Sequence, residues 1–312
     1  MEEIISLNNV SSIGDLFGSY DENINFLKKK CFVNIVVRED KLKITGEEKN
    51  VYVVKNVIEY ILKNLEKGDV VSKQNIDFIL ECVENGKSFV LLENFREQIC
   101  LNFKNKPIFT KTFTQKEYCS LIEDFVITFG IGPAGTGKTY IAVAKAVSYF
   151  KEKRVDKIVL TRPVVEAGER LGFLPGDLQS KIDPYLRPLY DIMEEIIGME
   201  HLSKYIERKK IEIVPLAYMR GRTLSKSFII LDEAQNTTKT QMKMFLTRLG
   251  NSSKMVITGD ITQIDLLNKK ESGLLDAITI LKDVKEIATC NFSRKDIVRH
   301  ELVRKIIKAY ER

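Results

Sequence analysis

Apolar and polar positions alternate in two different ways along the chain. Between residues 21 and 68 the pattern predicts a helix, two strands joined by a charged turn, and a second helix. From about residue 107 onward, short β-rich runs alternate with segments of helical periodicity. Such alternation is typical of βαβ units, so we expect a parallel sheet with helices on both faces.

The second region contains six runs that we predict to be strands. They cover residues 125–132, 157–163, 211–216, 227–234, 254–260 and 285–290. The pattern as a whole predicts three parts. These are a small α+β domain over residues 1–68, a linker or cap over residues 69–106, and an α/β domain over residues 107–312.

Composition and cysteine spacing narrow the class of protein without defining its activity. Lys and Arg (49) exceed Asp and Glu (43), and the net charge of +6 tilts the protein modestly toward polyanionic partners. The five cysteines form no Cys-x-x-Cys pair, which argues against a zinc site or a disulfide framework. Because there is no apolar run of about 18 residues and no basic signal region, we expect a soluble cytoplasmic protein.

The segment Gly132–Thr139 matches the pattern G-x-x-x-x-G-K-[ST] between a predicted strand and a predicted helix. Its glycines let backbone N–H groups turn toward a phosphate, and the helix N-terminus adds partial positive charge there. Lys138 would reach the β- and γ-phosphates, and the Thr139 hydroxyl would hold Mg²⁺. The alternative is a glycine-rich turn without a ligand. The predicted nucleotide-binding residues are Gly132, Pro133, Ala134, Gly135, Thr136, Gly137, Lys138, Thr139 and Tyr140.

Polar side chains also follow two later predicted strands. We expect Asp232 to hold Mg²⁺ through water and Glu233 to orient and deprotonate an attacking water; solvated carboxylates at a strand end are the alternative. Asp260 and Gln263 follow the strand over residues 254–260. If that strand lies between the other two, both residues would stand beside the γ-phosphate and sense it, although ordinary turn chemistry also explains Asp260.

Six ordered segments carry a resemblance to a known family. They are residues 130–147, 161–191, 215–224, 228–238, 257–266 and 296–310. Together they resemble PhoH-like ATPases of the phosphate-starvation-inducible type, and they also resemble the first motor domain of superfamily-one helicases. The resemblance implies a RecA-like P-loop NTPase fold that binds and hydrolyses ATP with Mg²⁺. It also assigns Gln115 to the recognition of the adenine edge.

The front of the chain is similar to a second family. Residues 16–48 resemble a KH domain, whose Gly-x-x-Gly loop clamps the backbone of single-stranded RNA. The corresponding segment Gly18–Asp21 lacks the second glycine and places an acid where phosphate would pass. A structural or docking role is therefore as compatible with this loop as RNA binding.

Basic residues in the second region are candidates for contacts with single-stranded RNA. In helicase-like folds the corresponding positions hold strand phosphates, and the alternative is a solvated or salt-bridged loop face. The candidates are Thr161, Arg162, Arg170, Lys181, Arg220 and Arg222.

A superfamily-one helicase closes its ATP site with an arginine from a second motor domain. We expect a homo-oligomeric ring in which a neighbour supplies Arg299, or else Arg294, as a catalytic arginine. Arg299 could instead pair with Glu301 or lie on the outer face of a helix. The sequence thus predicts an ATPase that remodels RNA. An ATP-gated adaptor that docks an endoribonuclease is the main alternative, and a metabolite kinase is disfavoured by Glu233 and Gln263.

Overall fold

The structure is a computed structural model that describes residues 1–7, 13–65, 97–164 and 178–298, with the single positions 76, 79, 80, 83, 303 and 306. Internal contacts divide the chain into two units, Met1–Phe95 and Arg96–Arg312. Each unit is described by itself.

The first unit is an α+β fold built on a three-stranded antiparallel sheet with the order β1-β3-β2. The predicted succession of helix, strand, strand and helix is confirmed, whereas strand β1 was not predicted because its five residues include only two isoleucines. The elements are β1 Glu2–Ser6, α1 Ile13–Phe17, α2 Glu22–Cys31, β2 Asn34–Arg38, β3 Lys41–Thr45 and α3 Glu48–Leu65.

The turn before α2 has an unusual backbone. Gly18, Tyr20 and Asp21 all have positive φ angles, of 70°, 53° and 57°. The Tyr20 side chain is fully exposed on this turn. Left-handed backbone is costly for residues other than glycine, so the turn stores strain. The resemblance to a KH domain and RNA binding by this turn both stay predictions.

The second unit contains a six-stranded parallel sheet with the order β11-β6-β10-β9-β7-β8. All six predicted runs form strands, and the predicted RecA-like α/β fold is confirmed. Strands β6 and β9 are buried along their whole length, which explains why their sequences are continuous apolar runs. The strands are β6 Ile127–Ile131, β7 Lys157–Arg162, β8 Ile211–Pro215, β9 Ser227–Leu231, β10 Lys254–Gly259 and β11 Ile287–Asn291.

Helices cover both faces of this sheet and enclose two apolar cores. Alternate residues of each strand point to opposite cores, as Phe228 and Ile229 do on β9. Helices α4 to α7 pack on the first face, and α8 and α9 pack on the second. The helices are α4 Phe113–Asp124, α5 Lys138–Lys151, α6 Leu178–Ile197, α7 Met199–Glu207, α8 Lys239–Leu246 and α9 Gly273–Ile280.

Part of the predicted linker belongs to the second unit. Strand β4 Gln98–Leu101 pairs in an antiparallel ladder with β5 Pro107–Phe109. The Lys151 ammonium of α5 donates to the carbonyl oxygen of Leu101 at 2.8 Å. The division after Phe95 therefore lies ahead of the predicted boundary at residue 107, because the hairpin joins the sheet-bearing unit.

Two further sequence expectations concern the whole chain. Among the residues that the structure describes, no helix is both long enough and apolar enough to cross a bilayer. Within the same residues, Cys31, Cys100, Cys119 and Cys290 are buried free thiols.

A half-buried lysine of β10, Lys254, caps the C-terminal end of α4. The Lys254 ammonium donates to the carbonyl oxygens of Ile122, Glu123 and Phe125 at 2.5, 2.5 and 2.7 Å. The last carbonyls of a helix have no partner within the helix, so a cation placed there both satisfies them and opposes the helix dipole. Lys254 thereby ties β10 to α4.

We predict that Lys254→Met lowers the free energy of unfolding by about 1–3 kcal/mol, because it leaves these carbonyls without their charged donor. Thermal unfolding followed by circular dichroism measures the change. Lys243→Met, on the exposed surface of α8, is the control and should change stability by less than about 0.5 kcal/mol. Equal melting temperatures for both variants would contradict this role of Lys254.

Candidate functional site

The carboxyl ends of β6, β10 and β9 lie side by side at one edge of the parallel sheet. Strand β10 lies between the other two, which meets the condition for Asp260 and Gln263 to stand at the same site. Their loops therefore bring three sequence motifs into one cleft. The cleft is lined by Ala134, Gly135, Gly137, Lys138, Thr139, Tyr140, Ile192, Asp232, Glu233, Gly259, Asp260 and Gln263.

Two glycines of the segment Gly132–Thr139, the P-loop, have atoms packed against them on the side away from the cleft. These atoms leave no room for a side chain. Gly132 has a φ of 147°, and a Cβ there would collide with the carbonyl oxygen of Phe292. Gly137 has a φ of 80°, and a Cβ there would stand 2.8 Å from the Gln115 amide nitrogen. A side chain at either position would displace the loop. The shape of the phosphate-binding loop therefore depends on the residues that pack behind it.

Lys138 is the first residue of α5 and lies folded over the P-loop. Its ammonium donates to the carbonyl oxygens of Gly132 and Pro133 at 2.6 and 2.8 Å. The Thr136 hydroxyl donates to the same Pro133 oxygen at 2.9 Å. These contacts hold the cation at the N-terminus of α5, where the helix dipole also favours an anion.

The predicted metal ligands meet across the sheet edge. The Thr139 hydroxyl donates to one carboxylate oxygen of Asp232 at 2.7 Å, and the Thr258 hydroxyl donates to the same oxygen at 2.7 Å. Hard oxygen donors of this kind suit Mg²⁺, which commonly takes one or two protein ligands and completes its shell with water and phosphate. Within the described residues no cluster of three or more Asp, Glu, His or Cys side chains forms a larger metal site. The residues therefore fit Mg²⁺ bound together with a nucleotide.

Glu233 is held in one orientation by its backbone and by both carboxylate oxygens. Its φ is 53°, in the left-handed region that favours glycine. One oxygen accepts a hydrogen bond from Arg162 at 2.9 Å, and the other accepts from the Gln235 amide at 2.5 Å. The carboxylate beside the predicted metal site is consequently restrained before any water is bound.

A fully buried glutamine that sequence analysis did not single out joins the two carboxyl-bearing loops. The Gln235 side chain donates to Glu233 and accepts from the backbone N–H of Asp260 at 2.9 Å. Asp260 in turn accepts from the backbone N–H of Ala134 at 3.1 Å. A continuous hydrogen-bonded path therefore runs from Glu233 to the P-loop, while Gln263 lines the cleft with an exposed side chain.

The predicted nucleotide-binding residues Gln115 and Tyr140 differ in their position relative to the cleft. Gln115 lies behind the P-loop rather than in the cleft lining. Its amide donates to the Thr136 carbonyl oxygen at 3.0 Å and accepts from the Lys111 N–H at 2.6 Å. Tyr140 does line the cleft, and its hydroxyl donates to Glu195 of α6 at 2.9 Å. Burial and this hydrogen bond raise the pKa of Tyr140, so its hydroxyl stays a donor.

The structure corrects two of the proposed RNA contacts. Thr161 is completely buried, and its hydroxyl has no hydrogen-bond partner among the described residues. Arg162 turns toward the ATP-site carboxylates, with ion pairs of 3.1 Å to Asp232 and 2.9 Å to Glu233. Both residues end β7 next to β9, so the register of the sheet brings them to the carboxylates instead of the outer surface.

The other basic candidates for RNA contacts and for the catalytic arginine differ in exposure and in whether the structure describes them. Arg222 forms an ion pair with Glu212 at 2.7 Å, whereas the Arg220 side chain is exposed. Arg294 is also exposed, in the short 3₁₀ helix Arg294–Asp296. Arg170, Arg299 and the side chain of Lys181 lie outside the described residues.

Comparison with known proteins assigns the family. The PhoH-like protein family model matches residues 107–311. The chain belongs to this family. A PhoH-like protein of Bacillus subtilis (strain 168) is 45% identical over 306 residues, which cover 98% of this chain and 96% of that protein. Protein PhoH of Escherichia coli (strain K12) is 44% identical over 206 residues, which cover 65% of this chain and 58% of that protein.

Two solved structures are distant neighbours, and each match covers 57% of this chain. The Sulfolobus solfataricus SWI2/SNF2 ATPase core in complex with dsDNA is 17% identical with a TM-score of 0.33, and 38% of it is covered. The Pyrococcus furiosus Hef helicase domain is 13% identical with a TM-score of 0.36, and 37% of it is covered. Family membership and the P-loop geometry make the second unit of this PhoH-like chain a candidate nucleotide-binding unit.

We predict that Gln115→Ala weakens binding of ATP and GTP by the same factor, of about tenfold, because the side chain braces the Thr136 carbonyl of the P-loop. Titration with fluorescent derivatives of both nucleotides measures the two dissociation constants. The ratio of the wild-type constants is the internal reference. A selective loss of ATP binding would instead support recognition of the adenine edge by Gln115.

Proposed function

We propose that the protein hydrolyses ATP in a magnesium-dependent reaction and couples this reaction to the remodelling of RNA. The hydrogen bond between Thr139 and Asp232 is the observation that carries the hydrolysis part. It joins the P-loop to the end of β9, and Glu233 follows directly. A cation-holding pair and a potential general base thus share one cleft with the phosphate cradle.

The residues of the site divide the work of hydrolysis. Lys138 and the backbone N–H groups of the P-loop bind the phosphates, and Thr139 with Asp232 would hold Mg²⁺. The ion, when bound, neutralises charge on the β- and γ-phosphates. Glu233 orients a water molecule and accepts its proton, while Gln263 at the rim senses the γ-phosphate. Gln235 keeps Glu233 and the P-loop in register through Asp260.

Charge supports the RNA part of the proposal. The net charge of +6 favours a polyanion, and exposed Arg220 is a point charge available to a phosphate. The competing proposal is an ATP-gated adaptor that docks an endoribonuclease. In that proposal the first unit would dock the partner, and its exposed side chains Tyr20 and Phe32, the latter 84% exposed, are available for such a contact.

We further propose that the active form is a homo-oligomeric ring in which Arg299 of one subunit acts at the site of the next. An arginine that reaches the γ-phosphate in the transition state accelerates hydrolysis by about a thousandfold or more. Arg294 is the second candidate for this role. Neither arginine is needed to bind the nucleotide.

We predict that Glu233→Gln lowers kcat for ATP hydrolysis by about 10²- to 10⁴-fold and leaves ATP affinity nearly unchanged, because it removes the proton acceptor only. Lys138→Met should lose both binding and hydrolysis. Phosphate release and nucleotide titration measure the two effects, with the exposed Glu271→Gln as the matched control.

The same Glu233→Gln variant also tests the ring. Mixed with Arg299→Ala in equal amounts, it should regain activity, since some interfaces then contain one intact Glu233 and one intact Arg299. No recovery in the mixture would remove Arg299 from the proposal, and unchanged kcat in Glu233→Gln alone would contradict the assigned base.

We predict that single-stranded RNA accelerates ATP turnover and that this stimulation declines steeply with salt, because phosphate contacts release counterions. A strand-displacement assay with the same RNA measures remodelling directly. ATP turnover that RNA does not accelerate, with no strand displacement, would contradict RNA remodelling and support the adaptor.

A further inference from the structure

Arg162 occupies a position that its sequence context does not suggest. It ends β7, one strand away from Asp232 and Glu233, and only 17% of its side chain is exposed. One terminal nitrogen of the guanidinium lies 3.1 Å from Asp232 and 2.9 Å from Glu233. The other terminal nitrogen donates to the carbonyl oxygen of Tyr185 on α6 at 3.0 Å. The side chain thus links the two carboxylates to a helix on the face of the sheet.

The two carboxylates create the need for this cation. The Asp232 side chain is 7% exposed and the Glu233 side chain is 39% exposed, and they are adjacent in sequence. Two adjacent like charges repel each other, and the Asp232 carboxylate in particular is costly to bury without a partner. A single guanidinium in contact with both offsets one of these two negative charges and reduces their repulsion. A planar fork also fixes direction, which a lysine ammonium on a flexible stem does not.

The side-chain contacts of Arg162 lie at the two carboxylates and at α6. Among the described residues, those that line the cleft belong to the P-loop, the two carboxylates, Ile192 of α6 and the β10 loop, and Arg162 is not one of them. Its Nε is buried and has no hydrogen-bond partner within the described part of the chain. The two ion pairs and the Tyr185 carbonyl therefore fix the position of the guanidinium. Through these contacts Arg162 can influence the reaction only by way of the two carboxylates.

We propose that Arg162 is a positioning residue for hydrolysis, which holds the Glu233 carboxylate in its working orientation and offsets part of the negative charge of the Asp232–Glu233 pair. The proposal rests on the proposed ATPase function. Together with Gln235, which holds the second oxygen of Glu233, Arg162 completes a clamp on the general base. Its role differs from that proposed for Arg299, because Arg162 belongs to the same chain as the carboxylates that it contacts.

The test compares Arg162→Met and Arg162→Lys with wild type in the full-length protein. Arg187→Met is the matched control, because Arg187 lies on α6, is 66% exposed and pairs only with Asp191 among the contacts described here. Three quantities are measured: the dissociation constant of a fluorescent ATP derivative with Mg²⁺, kcat for hydrolysis, and the melting temperature.

We expect Arg162→Met to lower kcat by about a hundredfold while the dissociation constant changes by less than about threefold. Arg162→Lys retains the charge without the fork and should lose about tenfold in kcat, also at unchanged affinity. If Arg162→Met does not fold, kcat and affinity are compared between wild type and Arg162→Lys alone. An unchanged kcat, or a loss of affinity equal to the loss of kcat, would overturn the proposal.

A double-mutant cycle decides whether Arg162 acts through Glu233. In the Glu233→Gln background, Arg162→Met should change the residual kcat by less than about threefold, because the group that it positions is already inactive. Full additivity of the two losses would overturn the proposal. Failure of the ATPase function itself is distinguishable, since wild type would then neither bind nor hydrolyse ATP.

Discussion

The hydrogen bond between Thr139 and Asp232 is the contact on which the rest of the site depends. It joins residues that are 93 positions apart in the sequence, and it does so at the edge of one sheet. Parallel strands β6 and β9 must both end there, separated only by β10. A strand order with several strands between β6 and β9 would separate the phosphate cradle from the carboxylates. The topology of the sheet is thus the first requirement of the chemistry.

The conformation of the P-loop depends on residues that pack on the side of the loop away from the cleft. Gln115 braces the Thr136 carbonyl, and Phe292 packs against Gly132 where a side chain would collide. The backbone N–H of Val298 donates to the Gly135 carbonyl at 2.8 Å, which adds a third support from the segment after β11. Because a loop of glycines has little intrinsic preference for one conformation, such supports preorganise the cradle. The chain therefore assembles the site from elements that lie far apart in sequence.

The carboxylate charges in this site are stabilised by hydrogen bonds and ion pairs rather than by exposure to water. Asp232 receives two hydroxyl hydrogen bonds and an arginine, and Glu233 receives an arginine and an amide. Each oxygen that faces the cleft is thereby oriented before a nucleotide arrives. The same arrangement places the largely buried Arg162 in ion pairs with two carboxylates rather than at the surface.

The sequence alone determined the six strands, the P-loop and the identity of Asp232 and Glu233, because periodicity, glycine spacing and strand-end carboxylates are local signals. It could not determine which side chains meet behind these motifs. Arg162 contacts Glu233 from 71 positions away, Gln115 contacts the Thr136 carbonyl from 21 positions away, and Gln235 joins Glu233 to Asp260, which lies 25 positions further along the chain. Strand order and register alone decide those neighbours, since they bring together residues whose local sequence carries no record of the contact.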